Sequence, residues 1–175
     1  MLNYSVAELR NYMKYVNFCL IALGSLILSS GSIKTDKPSI GYHPGEILPN
    51  IVLHDAEGKN IDLSEYKGKK VMVNFWAAYD AQSRANNVRI HNLLKNNYPD
   101  VTLLSICFDE SRSVFEKTVL WDQLENNSQY CDTNGIRSEI YKEFQLNKGF
   151  KNYLIDEQGV IRAMNITPDQ LKAIL

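Results

Sequence analysis

Cysteine is scarce: Cys19, Cys107 and Cys131 are the three in 175 residues. They are too few for a disulfide scaffold and too scattered for a zinc site. No sign of charge dominates either, since Lys+Arg 19 against Asp+Glu 20 leave a net charge of -1. The basic patch of an electrostatic nucleic-acid binder is therefore missing. There is no Gly-rich phosphate loop and no Gly-x-Ser-x-Gly elbow. His43, His54 and His91 have no ligand spacing and read as loop or surface residues. No metal and no cofactor is implied. What is present, 45% hydrophobic and 22% charged residues, excludes wholesale disorder and suits one packed domain of ordinary size.

Long apolar runs are also lacking, with one exception. Val16–Leu28 is an apolar, charge-free run of 13 residues, short of the roughly 20 that span a bilayer as a helix. Lys14 precedes it and Ser29-Ser30-Gly31-Ser32 follows, the order of an export signal. The alternative is a buried helix, but no amphipathic period is visible. Met13-Lys14 would itself make a start. Leu28-Ser29-Ser30-Gly31 is similar to a lipoprotein box with Gly31 at the cysteine position, so lipid attachment is not supported. The expected organisation is a signal or anchor over 1–31, a linker over 32–40 and one domain over 41–175. Removing 1–31 takes away Glu8, Arg10 and Lys14, leaving a net charge near -2 and two cysteines. Their expected compartment, the periplasm or cell envelope, allows disulfides to persist.

The mature chain alternates strands and helices. Ile51–His54 and Asn60–Leu63 flank a Gly-containing loop of hairpin length. Lys70–Trp76 and Val101–Phe108 are apolar, β-branched runs that read as buried strands. Between them, Asp80 to about Asn97 has helical length with a weak apolar period (Ala81, Ala85, Val88). Two such strands joined through a helix form a right-handed βαβ unit with parallel strands. A helix from Ser111 to about Leu124, a strand at Gln129–Cys131 and a helix over Ile136–Phe144 follow. Asn152–Asp156 and Val160–Met164 surround Glu157-Gln158-Gly159 as a hairpin. Thr167-Pro168-Asp169-Gln170 is a capping box, so the chain closes on a helix. The predicted fold class is α/β with a mixed sheet.

Four pieces in this order resemble the thioredoxin-like, or redoxin, family over residues 41–165. They are Gly41–Glu46 with Ile51-Val52-Leu53, Ile61–Lys69, Val73-Asn74-Phe75-Trp76-Ala77, and Leu154–Ile161. The nearest group is the periplasmic disulfide reductases of TlpA/ResA type. The resemblance implies a thioredoxin-like fold, a mixed central sheet flanked by helices, with an N-terminal β-hairpin.

At the reactive positions the sequence departs from the family. The family strand runs into Trp-Ala-x-Trp-Cys-x-x-Cys-Arg, whereas here it reads Trp76-Ala77-Ala78-Tyr79-Asp80-Ala81-Gln82-Ser83-Arg84. Asp80 and Ser83 thus stand at the two cysteine positions. Thiol–disulfide exchange needs an attacking thiolate and a resolving thiol. A carboxylate and a hydroxyl supply neither. By the same resemblance Phe150 stands where the family places a cis-proline. A cis bond before a non-proline residue costs about 2.5–4 kcal/mol, so an altered loop is expected. Asp80 has two readings: a helix N-cap, with Ser83 on the helix surface, or a polar contact in a repurposed groove.

Tyr79, Arg84 and Phe150 surround, by resemblance, the groove where family members hold an extended peptide. Each also has a plainer reading, Arg84 as a solvated helix residue and Phe150 as a buried anchor. Cys107 and Cys131 either sit as small hydrophobes or, if their strands are neighbours, form a disulfide. Asp109-Glu110 and Asp156-Glu157 read as turn residues. The leading functional expectation is an exported, redox-inactive module that binds a polypeptide or partner domain, with membrane contact only through an uncleaved signal. The alternatives are an oxidoreductase that uses Cys107 and Cys131 or a partner's thiols, and a structural subunit of an envelope complex.

Overall fold

In the computed structural model, which describes residues 37–54 and 58–175, the chain opens on an antiparallel hairpin. Its strands are β1 (Val52–His54) and β2 (Asn60–Asp62), with Leu53 opposite Ile61. These residues belong to one compact unit, Pro38–Leu175. The apolar run Val16–Leu28 and Gly31 lie outside the described residues.

A five-stranded sheet follows: β3 (Lys70–Trp76), β4 (Val101–Cys107), β5 (Gln129–Cys131), β6 (Asn152–Ile155) and β7 (Ile161–Met164), ordered β5-β4-β3-β6-β7. β4 runs parallel to β3 and to β5, whereas β6 is antiparallel to β3 and to β7. The mixed sheet is the one expected. β3 is central, and every residue after Lys70 is buried, as an unbroken apolar run requires. Its period of two sends Val71, Val73 and Phe75 to one face, against Ile106, Phe144 and Tyr153. Met72 points the other way, against Ile90, Leu94 and Leu154.

Helix α1 (Ala81–Asn97) is the crossover from β3 to β4. Its apolar period looked weak because the buried face is half polar: Ser83, Asn87 and His91 share it with Ile90, Leu93 and Leu94. Asn87 is the anchor. Its Oδ1 accepts from Asn74 of β3 at 3.1 Å and from the Ser105 hydroxyl of β4, and its Nδ2 donates to Gln129 of β5 at 3.1 Å. One side chain on α1 therefore bonds to three adjacent strands. A buried amide is tolerated only when it is so satisfied.

His91 corrects the surface reading: it is 3% exposed, and its Nε2 accepts from the Glu125 N–H at 3.4 Å. Desolvation, partly opposed by the Glu125 carboxylate, lowers its pKa from the ordinary 6.5.

Helix α2 (Arg112–Trp121) lies between β4 and β5 and starts at Ser111, whose hydroxyl accepts from the Val114 N–H. The helix expected over 136–144 is divided. A 3-10 turn at Gly135–Arg137 ends at Ser138 (φ -53, ψ 139), which then caps α3 (Glu139–Glu143) by accepting from Tyr141. A serine that can serve the backbone itself favours such a break. The last helix, α4 (Pro168–Ile174), has the capping box anticipated at Thr167 and Gln170.

Two consequences are measurable. Asn87→Leu takes the partner from Gln129 Oε1 and from the Ser105 hydroxyl proton and leaves Asn74 only its bond to Ser105, so it should cost about 3 kcal/mol in urea unfolding. Asn92→Ala, on the exposed face of α1, should stay within about 0.5 kcal/mol. Stability should also decline as pH falls through 6.5 toward the lowered folded value of His91. There the unfolded chain takes up a proton that the buried ring excludes, so protonation favours unfolding. His91→Gln should flatten that limb of the profile.

Candidate functional site

β3 and β4 end side by side, and α1 begins one short turn beyond β3. At such a junction the first N–H groups of the helix lack intrahelical acceptors and project from the strand ends. Asp80 supplies the acceptor. In extended conformation (φ -101, ψ 101), its Oδ1 takes the Ser83 N–H at 2.7 Å. Such a cap is worth about 1 kcal/mol.

Ser83, expected on the helix surface, is instead buried at 7% exposure. Its hydroxyl donates to the Asp80 carbonyl at 3.1 Å and accepts from the Ala77 N–H at 3.3 Å. Asp80 and Ser83 thus stitch the strand–helix corner together: the carboxylate serves as a cap, and the Ser83 hydroxyl is engaged by two backbone groups.

Arg84 is half-buried and tied down rather than solvated. Its Nε and Nη2 meet both carboxylate oxygens of Asp122 at 2.7 and 2.6 Å. This fork clamps the start of α1 to the end of α2, with the bidentate geometry that makes Arg–carboxylate pairs strong.

Tyr79 is 64% exposed. Its ring lies 6.2 Å from that of Phe150, which stacks on Phe108 and meets Tyr141 edge-on. Desolvation, then repulsion from the Tyr141 and Asp109 groups, pushes its phenol up to about 12. Phe150 follows Gly149, at φ 122, and no described peptide bond is cis. It is half-buried, at once an anchor on Phe108 and a wall beside Tyr79.

The two thiols are register partners on the parallel strands β4 and β5. Both are reduced and buried, at 0% and 1% exposure for Cys107 and Cys131. Cys107 donates to Asp109 Oδ2 at 2.9 Å, and the Cys131 sulfur approaches the Asp109 carbonyl at 3.6 Å. Burial, followed by the contact with Cys131 and the charge of Asp109, raises the Cys107 pKa well above its ordinary value. That is the opposite of a reactive cysteine, whose thiolate is favoured.

Asp109 is the residue that sequence reasoning missed. It is no turn residue but 5% exposed, and its Oδ2 also accepts from the Ala78 N–H at 2.9 Å. It joins the ends of β3 and β4. A carboxylate directly after an apolar strand was the only signal, and solvated turns carry the same one. Asp122 was missed as well, because its partner lies on another helix.

Beside Tyr79 opens a groove of about 590 Å³, bounded by Arg84, Phe108–Ser111, the outer face of α2 and Ile136. Among the described residues no group of His, Cys, Asp and Glu could hold a metal ion.

Known proteins share this architecture. Residues 44–164 match the AhpC/TSA family. The thioredoxin-like protein YneN of Bacillus subtilis is 23% identical over 137 residues, covering 74% of this chain and 75% of its own. The thiol-disulfide oxidoreductase ResA of Bacillus subtilis is 42% identical over 60 residues, 34% of this chain and 31% of ResA. Among solved structures, a thioredoxin-like protein from Parabacteroides distasonis superposes with a TM-score of 0.68 at 39% identity, covering 79% of this chain and 98% of that one. The chain belongs to the AhpC/TSA family, has a thioredoxin-like fold, and carries Asp80 and Ser83 where its resemblance to the thiol-disulfide reductases places their cysteines.

Proposed function

We propose that the protein is an exported, redox-inactive member of this family that binds a polypeptide or partner domain through the former active-site end. The carrying observation is the hydrogen bonding of Asp80 and Ser83, which serve the start of α1 with a carboxylate and a hydroxyl in place of thiols. Cys107 and Cys131 lie in the sheet with a protonated thiol favoured at Cys107. Export is supported by the apolar run Val16–Leu28 and the small residues after it. Binding is supported by the aromatic pair Tyr79 and Phe150, of which Tyr79 is largely exposed.

A second reading has one observation in its favour: Cys107 and Cys131 face each other in register on neighbouring strands. A dithiol so placed could cycle between reduced and oxidised forms with a partner disulfide as oxidant.

Insulin reduction with dithiothreitol as electron donor separates the two. The expected result is no turnover above the reagent alone. In the native protein Cys107 and Cys131 should resist iodoacetamide and label only on unfolding, without prior reduction. Turnover abolished by Cys107→Ser, or a Cys107–Cys131 disulfide that cycles reversibly, sinks the inactive reading.

The binding half has its own readout. Crosslinking in the intact envelope should capture a partner, with the yield reduced several-fold in a Tyr79→Ala, Asp80→Lys variant. An unchanged yield would assign the contact to another face and favour a purely structural subunit.

A further inference from the structure

Helix α2 carries more apolar surface than its packing uses. Phe115 and Val119 point inward, against Trp76, Cys107 and Cys131. Val114, Thr118 and Trp121 recur at the spacing of one helix face, and they form the outer wall of the groove beside Tyr79. Trp121 is 70% exposed and Val114 45%, while Ile136 on the facing turn is 59% exposed. A tryptophan, a valine, an isoleucine and Tyr79 around one concavity form the kind of contiguous apolar patch that marks an interaction surface.

The charged groups of this groove differ in how far they are already paired. Its charged lining residues are Arg84, Asp109 and Glu110. Both donor edges of Arg84 used in its fork are taken by Asp122, so its charge is neutralised. Glu110 meets Arg137 at 3.5 Å, but both side chains stay more than half exposed. A ligand entering between Trp121 and Ile136 therefore meets apolar walls with the exposed carboxylate of Glu110 at the rim, the nearly buried Asp109 lying behind it.

We infer that this groove binds an extended polypeptide segment bearing a large apolar side chain next to a lysine or arginine. The inference rests on the polypeptide-binding reading and names the ligand's chemistry and the wall that receives it. The apolar side chain lies against Trp121 and Val114, and the cation faces Glu110. Electrostatic complementarity of this kind governs partner choice more than raw affinity.

Trp121 makes the test direct. The protein has two tryptophans, and Trp76 is 0% exposed, so a solvent-sensitive emission change reports on Trp121. Short blocked peptides with Leu or Phe beside Lys are titrated against the same peptides with Glu in place of Lys. The lysine peptides should shift the emission saturably, more weakly at high salt, and the glutamate peptides should not. Glu110→Lys and Val114→Asp, checked for folding by circular dichroism, should each weaken binding about tenfold.

Absence of a saturable shift, or binding indifferent to both substitutions, overturns the inference. So does binding lost in Phe150→Ala but kept in Val114→Asp, which places the peptide on the other side of Tyr79. Sedimentation that reveals a dimer abolished by Trp121→Ser would show a second copy as the occupant, and would also overturn it. If these fail while crosslinking still depends on Tyr79 and Asp80, only the groove's ligand is wrong. If crosslinking is indifferent too, the polypeptide-binding reading fails with it.

Discussion

The start of α1 needs an acceptor, and much of the site is arranged around that need. A helix that begins one turn after a central strand projects unpaired N–H groups at the edge of the sheet, with the positive end of its dipole. In thiol chemistry that field stabilises a thiolate. Here the Asp80 carboxylate fills the same position and accepts from Ser83, while the Ser83 hydroxyl links back to Ala77 and Asp80. A carboxylate oxygen thus sits at the positive end of the helix dipole and closes the corner.

The rest of the molecule holds that corner in place. Asn87 bonds α1 to β3, β4 and β5 from within the core. Arg84 clamps the same helix to α2 through Asp122. Asp109 ties the end of β3 to β4 and takes the Cys107 thiol as a second donor. The thiols are thereby part of the packing. Cys107 lies between a carboxylate and an apolar cluster, and both favour its protonated form. The outer surface tells a different story, since Tyr79, Trp121 and Ile136 remain exposed where packing could have covered them. The inside of this end is built for rigidity, and the outside is left available for contact.

Legibility followed locality. β3 reads directly from KVMVNFW, because a strand buried on both faces is an apolar run whatever surrounds it. The Thr167 cap, the Ser111 cap and the Asp80 cap were readable because each acceptor and its donor lie within one turn. α1 was only half legible, since the residues that bury it include an asparagine, a serine and a histidine, which count as polar in any periodicity. Ser83 and His91 were placed on the surface for the same reason. Asp109 reads as a turn residue and Asp122 does not stand out in the sequence, because their partners arrive from other elements. The helix over 136–144 was read as continuous where Ser138 interrupts it, a choice between two local hydrogen-bonding options that pattern alone does not rank.

By itself the sequence determined the α/β order, the buried strand at Lys70–Trp76, the resemblance to the family, and the presence of Asp80 and Ser83 where that resemblance places cysteines. Those properties depend on residue type and near-neighbour spacing, which the chain carries in one dimension. Tertiary structure alone decided that Ser83 is buried, that Arg84 is neutralised, and that Cys107 and Cys131 stand in register behind Asp109. It also decided that Val114, Trp121 and Ile136 share a groove with two carboxylates. Burial and charge at a site are sums over neighbours brought together by strand order β5-β4-β3-β6-β7, and no local segment contains them.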